Sequence, residues 1–169
     1  MSNRRLPVSG TLNIRKTAAV LAILIAVMAA AFLYTNRPGR LVLVNEDTGE
    51  RIASYPIREG GSFGVGFIHS VNKSPVTDFY EIRKDGIYVV KTVYYGFGAG
   101  VQTELEEGQK LEYGEDGSMI ITGFDRRMDD LVYFVGTVSD HTLTVNDGEP
   151  VSLRDLCGRN TKVRFRYER

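Results

Sequence analysis

Short segments that alternate apolar and polar residues recur about every ten residues from residue 41 to the C-terminus, and turn residues separate them. This period-two alternation is typical of β-strands with one buried face, and helical periodicity is nearly absent from the same region. The pattern therefore predicts a chain of ten short strands. They are expected at residues 41–45, 50–57, 62–69, 76–83, 86–95, 109–113, 118–122, 131–138, 142–145 and 161–167.

The joints between these segments are rich in Asn, Asp and Gly, the residues that best tolerate a positive φ. Examples are residues 84–86 and 146–148. Many short strands joined by polar turns favour an all-β fold, either an antiparallel β-sandwich or an open barrel. Residues 105–110 and 153–157 are the two places where a helical turn is expected.

Residues 17–34 form an uncharged run of 18 residues, and as a helix this run covers about 27 Å, close to the thickness of the bilayer core. Five basic residues and no acidic residue occur in residues 1–39, and four of the five precede the run. This asymmetry places the N-terminus in the cytoplasm and the remaining chain outside it. The expected organisation is a basic cytoplasmic N-terminus at 1–16, a transmembrane signal-anchor helix at 17–34, a linker at 35–40 and an extracytoplasmic β domain at 41–169.

A cleaved signal peptide is the alternative interpretation of the same run. The small residues Ala29, Ala30 and Ala31 are of the kind that a signal peptidase accepts. The run is longer than the usual apolar core of a signal peptide, about 7–15 residues, which favours the anchor. Both interpretations place the β domain outside the cytoplasm, either on the cell membrane or secreted.

Composition excludes several classes of protein. Cys157 is the single cysteine, so an intrachain disulfide, a cysteine-based zinc site and a CxxC redox pair are all impossible. Residues 40–169 hold 16 basic and 21 acidic residues, so the domain is net acidic and nucleic acid is not an expected partner. No spacing indicates a metal site, and no cofactor is expected.

His69 and Asp78 are the strongest candidates for a functional pair. His69 and Ser70 close an apolar strand, and Asp78 lies on the next strand after a short loop. If the two strands are antiparallel, Asp78 is able to face His69 and orient its imidazole for a ligand or partner. The alternative is a purely structural hydrogen bond across a hairpin.

Residues 60–64 match the G-x-S-x-G pattern, in which a tight turn between a strand and a helix exposes a serine nucleophile. A strand-like segment, and not a helix, follows Ser62, which favours a glycine-rich turn. An extracytoplasmic hydrolase using Ser62 or Ser70 with His69 and Asp78 stays an alternative, because unrelated folds assemble such triads in different chain orders.

Residues 96–100, Gly-Phe-Gly-Ala-Gly, follow a strongly strand-like segment. Their glycines permit either a sharp bend or a close approach to a ligand or partner. The spacing differs from a dinucleotide-binding fingerprint, and no helix is expected after it.

Three ordered motifs resemble a bacterial family known as domain of unknown function 1850. They are Phe-Ile-His-Ser-Val at 67–71, Pro-Val-Thr-Asp-Phe-Tyr at 75–80 and Phe-Gly-Ala-Gly at 97–100. Members of this family more often carry Glu at the position of Asp78. The resemblance implies a ligand or partner site at the matching positions, which are His69, Ser70, Asp78, Gly98, Ala99 and Gly100.

Proteins of that family are small exported or membrane-anchored proteins, often encoded beside TAXI-type TRAP transporters, which import organic acids and similar solutes. The resemblance therefore implies a membrane-anchored accessory or binding protein that contacts transporter subunits or a solute-binding protein. A structural envelope module is the other non-enzymatic interpretation. No catalytic residue is assigned, and an enzyme is the less favoured class.

Overall fold

The computed structural model describes residues 10–35, 38–71, 73–96 and 104–169. The chain divides into two compact units, Met1–Arg37 and Pro38–Arg169. In the first unit, helix α1 spans Gly10–Thr35, and its large apolar side chains from residue 20 to residue 32 are more than half exposed. Among the described residues, no helix is both long enough and apolar enough to cross a membrane. The run at 17–34 lies within α1, and its insertion in a membrane stays a prediction.

The second unit is built almost entirely from strands, as the alternating pattern predicts. All ten predicted strands are present with bounds that differ by a few residues, and the short strand β10 is additional. The helical turn expected at 153–157 is present as α2, whereas residues 105–110 form no helix. The elements are β1 Gly39–Asn45, β2 Arg51–Ile57, β3 Ser62–Ile68, β4 Pro75–Arg83, β5 Gly86–Tyr94, β6 Lys110–Tyr113, β7 Met119–Arg127, β8 Val132–Val135, β9 His141–Val145, β10 Val151–Ser152, α2 Leu153–Cys157 and β11 Thr161–Glu168.

The strands form two antiparallel sheets. The first has the order β2-β1-β11-β8, and the second has the order β10-β9-β3-β4-β5-β7-β6. The predicted turn at 146–148 follows β9, and Asn146 and Asp147 there have the positive φ values of 50° and 56° that the composition favours. The two sheets share one hydrophobic core, so the domain is a sandwich rather than an open barrel.

Phe63 on β3 lies at the centre of this core and is 2 % exposed. Its ring stacks on Tyr80 of the same sheet at a centroid distance of 5.0 Å, and on Phe165 of the opposite sheet at 5.7 Å. Alternation along β3 buries Phe63 and Val65 between the sheets. Aromatic rings in such contact contribute more than their buried area alone, so Phe63 is a main link between the two layers.

Replacing Phe63 with Ala should lower the free energy of unfolding by about 3–5 kcal/mol, because the variant loses a buried ring and leaves a cavity between the sheets. Urea unfolding followed by circular dichroism measures this loss. Phe134→Ala is the matched control, since Phe134 is 55 % exposed and its truncation should change stability by less than about 0.5 kcal/mol. Equal effects of the two substitutions would contradict the assigned core.

Candidate functional site

A partly open cavity of about 380 Å³ lies against the core-facing side of the second sheet. Its walls come from β3 and the residue after it, from β4, β5 and β7, and from the segment that leads from β7 into the start of β8. Most of the lining is apolar, and a few polar side chains interrupt it. The lining residues are Phe67, His69, Val76, Asp78, Tyr80, Val89, Thr92, Tyr94, Ile121, Phe124, Arg126, Met128, Leu131 and Val132.

Asp78 supplies a carboxylate to this cavity from the middle of β4. The hydroxyl of Thr92 donates to one oxygen of the carboxylate at 2.8 Å, and the hydroxyl of Tyr133 donates to the other at 2.7 Å. Asp78 is partly buried, and a carboxylate in that position is stable only when hydrogen bonds replace its lost water. The two hydroxyl donors therefore fix the carboxylate in place.

Tyr80 extends this contact into a chain of hydroxyl groups. The oxygens of Tyr80 and Tyr133 are 2.6 Å apart. Because the single hydroxyl proton of Tyr133 goes to Asp78, the proton between the two tyrosines must come from Tyr80. Burial, and secondly the negative charge of Asp78, raises the pKa of both tyrosine hydroxyls well above the ordinary value. Both phenols therefore stay protonated as donors.

A β-bulge determines which residue of β5 meets Asp78. The pairing of β4 with β5 keeps one register from the pair Arg83 and Gly86 to the pair Tyr80 and Val89. Beyond that pair the register shifts by one residue. The shift places Thr92 opposite Asp78, whereas the unshifted register would place Lys91 there. Lys91 instead lies with its ammonium 4.1 Å from the centre of the Phe79 ring. The bulge therefore gives Asp78 a neutral donor in place of a cation.

A second irregularity occurs at the same level between β5 and β7, where the pairing shifts between Val89 and Lys91. Gly123 of β7 has φ +81°, and a Cβ atom there would collide with the carbonyl oxygen of Gly108. Only glycine fits this position without strain. Met119 and Ile121 are buried before the glycine, and after it Phe124 and the exposed Arg126 line the cavity.

His69 lies just beyond the end of β3 and lines the same cavity. Its Nδ1 accepts a hydrogen bond from the backbone N–H of Val71 at 3.3 Å. The neutral imidazole therefore carries its proton on Nε2, which leaves an N–H donor for a ligand. The register pairs Asp78 with Val65, so the direct His69–Asp78 contact considered from the sequence is replaced by a shared cavity wall.

The remaining predicted positions have different outcomes. Ser70 is exposed in the turn after His69, and Ser62 begins β3 at the end of the strand away from His69. The G-x-S-x-G pattern thus belongs to the start of a strand and not to a turn between a strand and a helix. Gly98, Ala99 and Gly100 lie outside the described residues. Within the described chain, no group of three or more His, Cys, Asp or Glu side chains is arranged to hold a metal ion.

Sequence reasoning did not identify Thr92, Arg126 and Tyr133 as members of the site. The contact of Tyr133 with Asp78 joins positions 55 residues apart on different sheets, and no local pattern predicts such a contact. For Arg126 there was a usable signal, because a glycine inside a strand-like segment often marks a bulge. Gly123 is that glycine.

His141 on β9 packs beside the site. Its ring stacks on Phe67 with centroids 5.3 Å apart and meets the edge of the Tyr133 ring at 5.6 Å. The Nδ1 atom is buried and has no hydrogen-bond partner among the described residues. Burial lowers the pKa of His141, although the neighbouring Asp140 carboxylate acts in the opposite direction.

These observations define the second unit as a β-sandwich domain with one well-formed polar cluster in an otherwise apolar cavity. A family model described as Domain of unknown function (DUF1850) matches residues 63–150, just over half of the chain. The chain belongs to this family, as the motifs around His69 and Asp78 predict. No curated protein and no solved structure matches the chain.

Tyr133→Phe should lower the free energy of unfolding by about 1–3 kcal/mol, because it leaves the Asp78 carboxylate short of one donor and the Tyr80 hydroxyl without its acceptor. Urea denaturation at neutral pH measures the change. The matched control is Tyr113→Phe, since Tyr113 is 68 % exposed on the edge strand β6. A Tyr133→Phe variant as stable as the control would show that the hydroxyl chain contributes nothing to stability.

The lowered pKa of His141 predicts a loss of stability as the pH falls from about 7 to about 5. The unfolded chain takes up a proton near pH 6.5, whereas the folded chain takes it up only at lower pH, so acid favours the unfolded state in this window. His141→Phe keeps an aromatic ring between Phe67 and Tyr133 but removes the titrating group. Its free energy of unfolding should vary less with pH over this range. An unchanged slope would exclude His141 as the cause.

Proposed function

We propose that this chain is an extracytoplasmic binding or accessory protein whose β domain holds a small ligand in the cavity beside Asp78. The cavity is the observation that carries the proposal. Its volume of about 380 Å³ falls within the range of about 300–1,000 Å³ that small-molecule sites occupy. Apolar walls with a few convergent polar groups are also typical of such sites.

The polar groups of the cavity are held in place before any ligand arrives. Thr92 and Tyr133 fix the carboxylate of Asp78, and the Val71 backbone N–H orients the ring of His69. A site whose groups are already ordered loses less conformational entropy on binding. This preorganisation favours ligand binding over a merely structural role for the pair.

The N-terminal unit is proposed to tether the domain to the outer face of the cell membrane. Three features support this part of the proposal: the uncharged run at 17–34, the excess of basic residues before it and the exposed apolar side chains of α1. A tether keeps the domain at a high effective concentration near a membrane partner. Release by signal cleavage is the alternative that the experiment below distinguishes.

The proposed partner is a TAXI-type TRAP importer, either a membrane subunit or its solute-binding protein. The resemblance to the DUF1850 family supports this choice, because it implies that the gene lies beside those of such a transporter. The occupied cavity would then report or deliver a solute at the membrane surface.

Affinity capture of the tagged full-length protein from gently solubilised native membranes should enrich transporter subunits, as identified by mass spectrometry. An Asp78→Asn, His69→Gln variant should capture at least about tenfold less, because it removes a charge and a donor from the cavity. Asp155→Asn is the matched control, since Asp155 is exposed on α2 and does not line the cavity. Alkaline extraction of the same membranes should leave the protein in the membrane fraction.

Three results would contradict parts of this proposal. If the wild type captures no membrane partner, the accessory function is wrong. Equal capture by the Asp78→Asn, His69→Gln variant and the Asp155→Asn control would show that the cavity takes no part in the contact with the partner. Release of the protein by alkaline extraction, with a shortened N-terminus, would replace the anchor with a cleaved signal peptide.

A further inference from the structure

Asp78 and Arg126 bring opposite charges to one cavity, and neither is neutralised by a neighbour. The ion pairs of the described residues, taken at nitrogen–oxygen distances up to 4.0 Å, include neither of the two side chains. The hydrogen bonds of Asp78 come from the neutral hydroxyls of Thr92 and Tyr133. The neighbours of Arg126 in sequence, Asp125 and Arg127, pair with other residues.

The hydroxyl of Tyr80 marks the region that both charges influence. After burial, the Asp78 carboxylate is the next cause that raises the pKa of Tyr80, and the positive charge of Arg126 acts against it. Both charges therefore act on the same hydroxyl, and both side chains line the same cavity. Arg126 is exposed, which places it on the solvent side, whereas Asp78 is partly buried.

This arrangement discriminates among ligands by charge. A cation without an acidic group would be attracted by Asp78 but repelled by Arg126, and an anion without a basic group would meet the reverse. A molecule that carries both an ammonium and a carboxylate group satisfies both residues. Its ammonium would also replace solvent at a carboxylate that has only uncharged donors, which makes the contact strong.

The rest of the cavity favours a ligand that has an apolar body between or beside its two charged groups. Val76, Val89, Ile121 and Met128 line it, and the aromatic rings of Phe67, Tyr94 and Phe124 complete the walls. Sugars and other polyhydroxylated ligands would leave many hydroxyl groups unpaired against these walls. The volume also lies toward the lower end of the usual range, which restricts the ligand to a small molecule.

We propose that the cavity binds a small zwitterion with an apolar body, such as an apolar amino acid, with its ammonium group on Asp78 and its carboxylate on Arg126. The proposal rests on the ligand-binding function argued above and adds the chemical class of the ligand. His69 lines the same cavity, and in the proposed complex its Nε2–H would be a further donor to that carboxylate.

Isothermal titration calorimetry on the full chain in detergent tests the proposal with matched probes. L-Leucine is compared with 3-methylbutylamine, which lacks the carboxylate, and with 4-methylpentanoate, which lacks the ammonium. The compound 6-aminohexanoate is compared in the same way with pentylamine and hexanoate, and covers a wider separation of the two charges. At least one zwitterion should bind about tenfold or more tightly than both of its single-charge analogues.

Two substitutions test which residue binds the ammonium group of the ligand and which binds its carboxylate. Asp78→Asn should weaken zwitterion binding by about tenfold or more while leaving the binding of the matched carboxylate unchanged or stronger. Arg126→Gln should weaken the zwitterion and the carboxylate but not the matched amine. Arg126 is exposed, so its variant tests the proposal even if Asp78→Asn fails to fold. Arg58→Gln, an exposed change outside the cavity, should have no effect.

Each other outcome has a distinct meaning. If a single-charge analogue binds as tightly as its zwitterion, the cavity binds ligands but the proposed preference for a zwitterion is wrong. Zwitterion binding that survives both substitutions would overturn the assignment to Asp78 and Arg126. If none of the six probes binds, the ligand class is wrong, while the accessory function is still judged separately by membrane capture.

Discussion

The hydrogen bond from Tyr133 to Asp78 crosses from one sheet of the sandwich to the other. The packing of the two sheets around Asp78 and the geometry of the site both depend on it. Asp78 belongs to β4 in the second sheet, and Tyr133 belongs to β8 in the first. A carboxylate removed from water without partners would destabilise the domain, so the two sheets must keep the separation that this bond requires. Tyr80 strengthens the constraint because its hydroxyl donates to Tyr133.

Two strand irregularities convert this structural contact into a charged site. One extra residue in β5 places Thr92, and not Lys91, opposite Asp78 on β4. An ammonium at that position would have formed an ion pair and cancelled the negative charge inside the cavity. Along β7, the irregularity at Gly123 precedes Arg126, whose exposed side chain lines the cavity. The cavity therefore holds two separated charges that the fold itself does not pair.

The sequence predicted an all-β domain of short antiparallel strands but left the sandwich and the open barrel as alternatives. It also singled out His69 and Asp78, which line the cavity, but not the other polar residues of the cluster, and this division has a physical cause. Alternation and turn composition depend on neighbouring residues, so the ten strands, and with them the places of His69 at the end of β3 and Asp78 on β4, followed from local pattern. Thr92, Arg126 and Tyr133 depend on bulges and on packing between sheets. A register shift of one residue moves every later side chain of a strand to the opposite face. The shift in β5 lies between Val89 and Lys91, where no turn residue marks it in the sequence.

The contact between sheets and a bound ligand do not compete for the same lone pairs of Asp78. An ionised carboxylate accepts about four hydrogen bonds, and Thr92 and Tyr133 supply two of them. The remaining positions are able to accept from an ammonium group while Tyr133 keeps its bond across the sandwich. Binding of the proposed ligand at these positions would therefore leave the Tyr133 bond across the sandwich in place, and it would stabilise the folded domain by mass action.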